Sequence, residues 1–367
     1  MNAIGASPQR LRSLDALRGF DMFWIVGGGA IVAAWADSND WAWLDLAKEQ
    51  TEHAAWHGFT FWDLIFPLFL FIAGVALPLS FAKRRADGAS TAQLARHALR
   101  RGALLVLLGL IYNGALKFDF ATLRCASVLG RIGIGAMCAA WIVLGTSTTR
   151  ARVAWIAALL LGYWAALTWI PVPGFGAGKL EPGASLTDWF DRAYLPGKLY
   201  REVRDPEGLL GTLPAIATAL SGALAGSWLM RADKSERQKV IGLSGAAALC
   251  LVLGATWALV FPLNKNLWTS SFVLWTSGWS LTALALFYLV VDVFGFHRAA
   301  FFFEVIGANA ITIYVLQSFV DFDGLAKLLF ATRAPLKLHS ALLAGSGLAL
   351  KWLVLYVLYR TRIFLRV

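Results

Sequence analysis

Two histidines and one carboxylate stand just ahead of the most apolar run of the chain. His53, His57 and Asp63 lie in Glu52–Ser80, EHAAWHGFTFWDLIFPLFLFIAGVALPLS, which is almost wholly apolar from Leu64 to Leu79. Four residues apart, His53 and His57 would share one face of a helical stretch. A carboxylate beside a neutral imidazole fixes its tautomer and raises its basicity. Such a pair suits deprotonation of an amine or hydroxyl, or transient acceptance of an acyl group. Plain interface anchoring accounts for the same residue types, and Thr60 or Asp63 suits the cap of the following helix; both readings stay open here. Zinc is a third possibility, but His97, His297 and His339 are scattered and no HExxH occurs, so no metal is expected.

Further polar groups interrupt the apolar runs. Arg131, in LRCASVLGRIGIG, suits a phosphate or carboxylate partner, with an interhelical ion pair as the structural alternative. Lys351 falls near the middle of the last run, and Asp292 and Glu304 near the ends of theirs. In SLDALRGFD, Asp15, Arg18 and Asp21 recur at three-residue spacing and could lie on one helical side, either as an anion contact or as an arginine held by local carboxylates. Asp205 and Glu207, in DPEGLLG, suit the charge of a helix start. Asn264, Lys265, Asn266 and Trp268 form a short polar turn in FPLNKNLWTSS. Asn113, Asn264 and Asn309 are neutral hydrogen-bonding groups suited to a sugar or a developing oxyanion.

The elements that must position these groups are membrane helices. Of 367 residues, 58% are hydrophobic and 15% charged, with mean hydropathy +0.62; soluble domains carry about 25% charge. The expectation is an all-α polytopic membrane protein of about ten spans, each needing roughly 20 apolar residues. They fall near 17–36, 61–82, 99–117, 125–145, 151–170, 210–230, 239–261, 270–294, 300–320 and 340–359. Basic residues gather in alternate short turns, from Arg10, Arg12 and Arg18 through Lys83–Arg85 to Arg360, Arg362 and Arg366. By the positive-inside rule both termini are cytoplasmic, and His53, His57 and the long loop 171–209 face the opposite side. Such basic turns fit a bacterial inner membrane, and helical spans exclude an outer-membrane barrel. The net charge of +11 therefore reads as topology, not as nucleic-acid binding. Cys125, Cys138 and Cys250 have no CxxC spacing and read as small membrane residues. No Walker A, GxGxxG or GxSxG motif is present. The first span reads as a retained anchor. One transmembrane domain over 1–367 is expected, in contact with lipid and open to homo-oligomerisation.

With those residues in view, the chain resembles the heparan-alpha-glucosaminide N-acetyltransferase family and its bacterial relatives. LRSLDALRGFDM is similar to that family's opening motif, and HAAWHGFTFWDLIFPLFLFIAGVA to its signature of histidine, Trp-x-Gly, aspartate and an apolar Phe-Pro run. LRCASVLGRIGIG, DPEGLLGTLPAI, FPLNKNLWTSSFVL and FEVIGANAITIYV resemble later motifs. The resemblance implies the transmembrane acyltransferase fold of the wider acyltransferase-3 group. It also implies transfer of acetyl from cytosolic acetyl-CoA to an amino sugar across the membrane. The family's active histidine falls on His53, three residues before Trp56, and its aspartate on Asp63; His57 ranks second. The eukaryotic enzyme carries a luminal domain before its first span, whereas this chain enters its first span almost at once. That departure points to a periplasmic sugar or cell-wall fragment in place of a polymer.

On this reading Arg18, Arg131 and Arg84 meet the phosphates of acetyl-CoA. His57, Asn113, Asp205, Glu207, Asn264, Lys265, Asn266, Trp268 and Asn309 surround the acceptor. Direct transfer and a route through acetyl-His53 are equally open. An amino-sugar transporter and a non-catalytic membrane partner of the same fold are the rival readings.

Overall fold

The computed structural model describes residues 11–330 and 336–364, with side chains outside 336–339. Arg10, Arg366 and the His339 side chain lie outside these described residues. Regular structure among the described residues is helical, with only isolated bridges at Arg124–Gly197 and Val172–Gly176. The chain runs through α1 (Arg12–Phe23), a widened π-turn at Trp24–Gly28, α2 (Gly29–Ala36) and α3 (Ala42–Gln50). It continues through α4 (Phe61–Ala86), α5 (Thr91–Tyr112), α6 (Val128–Gly145), α7 (Thr149–Trp169) and α8 (Leu186–Tyr194), the last within the long loop. It ends through α9 (Thr212–Leu229), α10 (Glu236–Ala258), α11 (Ser270–Phe287), α12 (His297–Ala308), α13 (Ala310–Leu316), α14 (Phe322–Phe330) and α15 (Leu336–Arg360).

Every expected apolar run falls on a helix. Among the described residues eight helical segments are long and apolar enough to cross a membrane, or nine when α12 and α13, bent by 56° at Asn309, count as one. This is a polytopic α-helical membrane protein. Helix α5 has 22 residues but stands outside that set; Arg96, Arg100 and Arg101 occupy its first half.

Helix α4 is the axis of the bundle, with α9, α6, α11 and α1 packed around it. It is apolar on all sides, as a helix enclosed by others must be, and 78% of its apolar window is buried. Thr60 caps its start together with Asp63, and Lys83, Arg84 and Arg85 complement the dipole at its end. From Asp63 to Arg84 the helix rises about 31 Å at 1.5 Å per residue, the thickness of a hydrocarbon core. In lipid no water is left to drive helices together, so close backbone approach does the work. A Cβ on Gly222 of α9 would lie 2.0 Å from the Phe71 carbonyl oxygen, and one on Gly226 would lie 2.3 Å from that of Val75. The four-residue glycine spacing thus sets α9 directly on α4.

Candidate active site

The chain from Thr51 to Thr60 is irregular, so His53 and His57 do not share a helical face. Gly58, at φ +122°, turns the strand of loop between them and α4. Asp63 then gathers the loop. Its Oδ2 accepts the Thr60 N–H and the Ala54 N–H, each at 3.2 Å, and its Oδ1 lies 2.8 Å from His53 Nδ1. One carboxylate thus caps α4 and anchors the imidazole. A carboxylate that accepts backbone donors requires the hydrogen on His53 Nδ1, which makes Nε2 the acceptor nitrogen of the ring. Asp63 is 1% exposed, whereas the His53 side chain is 51% exposed and reachable.

A second loop closes on the first. The Gly58 N–H donates to the Leu263 carbonyl at 2.9 Å. Asn264 is fully buried; its N–H donates to Thr269 Oγ1 at 3.1 Å, its Oδ1 accepts the Leu267 N–H at 2.9 Å, and its Nδ2 donates to His57 Nδ1 at 3.3 Å. His57 is therefore clamped to this turn, and burial pushes its pKa down. The turn delivers Lys265, whose Nζ lies 3.0 Å from both ring nitrogens of His53 and 3.7 Å from Asp63 Oδ1. Burial pushes the Lys265 ammonium down, against the pull of the Asp63 and Glu207 carboxylates. Trp268 packs under the turn against Phe66, with its Nε1 donating to Thr218 Oγ1 at 3.3 Å.

His53, Lys265 and Glu207 form the polar rim of a cavity of about 230 Å³ that continues down to Phe69, Ile132 and Ile311. Glu207 is held by Arg124, which also grips Asp205 through Nε at 2.7 Å. Asp205 therefore holds an arginine and the Tyr200 and Glu207 N–H groups; it does not sit on the end of α9, whose N-cap position is Gly211. Arg131 donates to the Gly208 carbonyl at 3.0 Å and stacks its guanidinium 5.1 Å from the Trp268 ring centre. It belongs to this end, supporting the turn that carries Glu207, and does not join Arg18 and Arg84 as expected. The expected span 125–145 already starts on the His53 side, so the position of Arg131 near its start is at odds with a place beside Arg18 and Arg84.

Arg18 and Arg84 do come together, at the far end of α4. With His97 and Arg101 they line a cavity of about 350 Å³. Arg18 pairs with Asp15 at 3.1 Å, whereas Asp21 is buried with no hydrogen-bond partner among the described residues and does not join them. Arg101 Nε is likewise buried without such a partner. Phe69 and Ile311 line both this cavity and the His53 cavity. A narrow gap of about 30 Å³ between them adds Ala73 and Ile132.

Two asparagines expected around the acceptor lie elsewhere. Asn113 donates to the Arg124 and Ala126 carbonyls and ties α5 to the chain entering α6. Asn309 donates to the Ile363 carbonyl at 3.1 Å, between Ala308 and Ala310 of the arginine-lined cavity. Asn266 follows Lys265 in the turn and is half-buried. Glu304 takes Arg12 through two bonds of 2.8 and 2.9 Å, and Asp292 accepts the Ser13 hydroxyl, so both serve helix contacts. Sequence reasoning missed Arg101 and Trp62, whose ring centre lies 6.3 Å from that of His53.

These features define a polytopic helical membrane protein that clamps a histidine–aspartate pair beside a half-buried lysine, above a cavity leading toward clustered arginines. Residues 10–122 match a family described as "Domain of unknown function (DUF5009)", a segment that holds Arg18, His53, Asp63, Arg84 and Arg101. Over 99% of its length the chain is 28% identical to heparan-alpha-glucosaminide N-acetyltransferase of Homo sapiens and 29% identical to that of Mus musculus. It spans 61% of the length of each. The chain is thus distantly homologous to an N-acetyltransferase.

Proposed function

We propose that the chain is a membrane acetyltransferase, moving acetyl from acetyl-CoA at the Arg18–Arg84 end to an amino sugar or cell-wall fragment at the His53 end. The observation that carries this reading is the pair of cavities sharing Phe69 and Ile311, one ending in a histidine–aspartate–lysine cluster and the other in three arginines. The basic turns favour cytoplasmic termini in a bacterial inner membrane, with His53 toward the periplasm; α5 then serves as the tenth span.

The arginine cavity fits a multiply anionic group. Three guanidinium groups converge there, and Arg101 Nε is a buried donor without a partner among the described residues. Acetyl-CoA would supply a thioester carbonyl open to attack by an amine. His53 receives the amine proton on Nε2 as the carbon–nitrogen bond forms and the carbon–sulfur bond breaks, and then gives that proton to the departing thiolate. Asp63 keeps the hydrogen on Nδ1 throughout. Lys265 is placed to donate to the developing oxyanion, a contribution of about 3–4 kcal/mol at such sites. Glu207 stands at the rim, where its carboxylate can accept a hydrogen bond from the neutral amine of the acceptor.

The test uses detergent-purified protein with acetyl-labelled acetyl-CoA and glucosamine. Wild type should label the sugar, and His53→Ala should lose turnover by at least about a hundredfold while keeping its unfolding temperature. Undiminished transfer by His53→Ala would sink the assignment. The breaks in α1–α2 and α12–α13 favour a second reading, since discontinuous spans are common at transporter sites. Glucosamine flux into proteoliposomes without acetyl-CoA would establish that alternative.

A further inference from the structure

A further cavity, of about 560 Å³, lies beside the break between α1 and α2. Its size is that of a small-ligand site, roughly 300–1,000 Å³. Its polar groups include a lysine where lysine is expensive. Lys351 is 7% exposed, well inside α15, and an ammonium at that depth costs several kcal/mol unless it is paired or wetted. The break answers part of that need. At Gly27 the backbone leaves helical geometry, with φ 165° and ψ −17°, and the neighbouring Val26 carbonyl accepts Lys351 Nζ at 2.9 Å. Asp323 Oδ1 lies 3.5 Å from the same nitrogen. This is not a sealed structural ion pair, because the Asp323 side chain keeps 69% of its surface exposed.

Around the pair stand Gln317, Ser340 and two indoles, Trp24 and Trp62. Clustered donors and acceptors beside aromatic faces match a ring that is apolar on its faces and hydroxylated at its edges. Trp62 and Ile25 also line the His53 cavity, so the two cavities meet at that wall. A Cβ on Gly29 would lie 2.8 Å from the Trp62 ring, so the absence of a side chain there leaves room for the indole.

We propose that this cavity is a carbohydrate subsite in which Lys351 and Asp323 bind the hydroxyls of an amino sugar, with Trp24 and Trp62 against its ring and its amine directed past Trp62 toward His53. The assignment of the amine's destination rests on the transferase reading; the binding of sugar does not. The chemistry is that of a single hexosamine ring. The donor occupies the other side of the Trp62 wall, so the two substrates approach His53 from separate cavities.

The experiment measures equilibrium binding of labelled glucosamine to full-length protein in detergent, without acetyl-CoA. His53→Ala protein serves as the base, so that no sugar is consumed. It should bind glucosamine saturably, and adding Asp323→Asn or Lys351→Met should weaken binding at least tenfold at unchanged unfolding temperature. Asp323→Asn keeps size but removes the charge and one acceptor oxygen at an exposed position, so it guards against a folding artefact from Lys351→Met. In wild type the same changes should raise the KM for glucosamine and leave that for acetyl-CoA unchanged. Sugar binding that is lost with Asp323→Asn in a protein without acetyl transfer supports the subsite and removes the transferase. Binding that is indifferent to both substitutions, or no saturable binding at all, overturns the subsite.

Discussion

The two ends of α4 hold their charged groups differently. At the Asp63 end both carboxylate oxygens are taken, by His53, Ala54 and Thr60, and the loops carrying His53 and Lys265 are stitched together through Asn264 and Gly58. At the Arg84 end three guanidinium groups face a larger cavity; Arg101 Nε has no hydrogen-bond partner among the described residues, as is also true of Nε and Nη1 of Arg131 at the Asp63 end. The first arrangement holds a reactive ring in one tautomer and one place, as proton transfer requires. The second gathers three guanidinium groups, of which Arg18 is paired with Asp15, a concentration of positive charge that suits a phosphate group. Catalysis and donor binding should therefore respond to different substitutions.

The largest effect should come from the ordered end. Asp63→Ala removes a helix cap, worth about 0.5–2 kcal/mol, together with the anchor of His53. It should lower kcat by about 10²–10⁴-fold and also lower the unfolding temperature. A variant that loses stability and keeps its kcat would show that Asp63 is only a cap. At the other end, Arg101→Gln should raise the KM for acetyl-CoA about tenfold or more, because hydrogen bonds to charged groups contribute about 1.5–3 kcal/mol. The KM for the sugar should stay within about twofold. An equal rise in both would erase the division between the ends.

The smallest effect concerns the loop that carries Glu207. Asp191, in α8, accepts the Leu209 N–H at 2.8 Å and is buried; burial pushes its carboxyl up to about 7. The folded protein then holds a proton that the unfolded chain has already released. Stability should fall as pH rises from about 4 to about 7 and level off above that. Asp191→Asn should flatten this decline in unfolding temperature measured across that range. A decline of equal slope in the variant would assign it to other groups.

Legibility followed the range of the interactions. His53 and Asp63 are ten residues apart along one short loop and helix start, so their pairing was readable as a local motif. Arg18 and Arg84 were readable as charges at one end of apolar runs. Lys265 was readable only as part of a polar turn; 212 residues separate it from His53, and nothing local in either segment encodes their contact. The expected helical face shared by His53 and His57 failed because Asp63 draws the loop backbone inward and Asn264 takes the second imidazole.

The chain's own residues determined that it is a membrane protein and where its helices run, because lipid obliges each span to satisfy its backbone internally and to present apolar side chains. They also determined the histidine–aspartate pair. Tertiary structure alone decided that Arg101 joins Arg18 and Arg84, that Arg131 holds the Gly208 carbonyl, and that Lys351 finds both a carbonyl from a broken helix and a carboxylate. Those pairings depend on how spans are placed beside one another. In a bilayer, where nearly any apolar surface is tolerated, that placement is set by glycine contacts and polar bonds between distant segments.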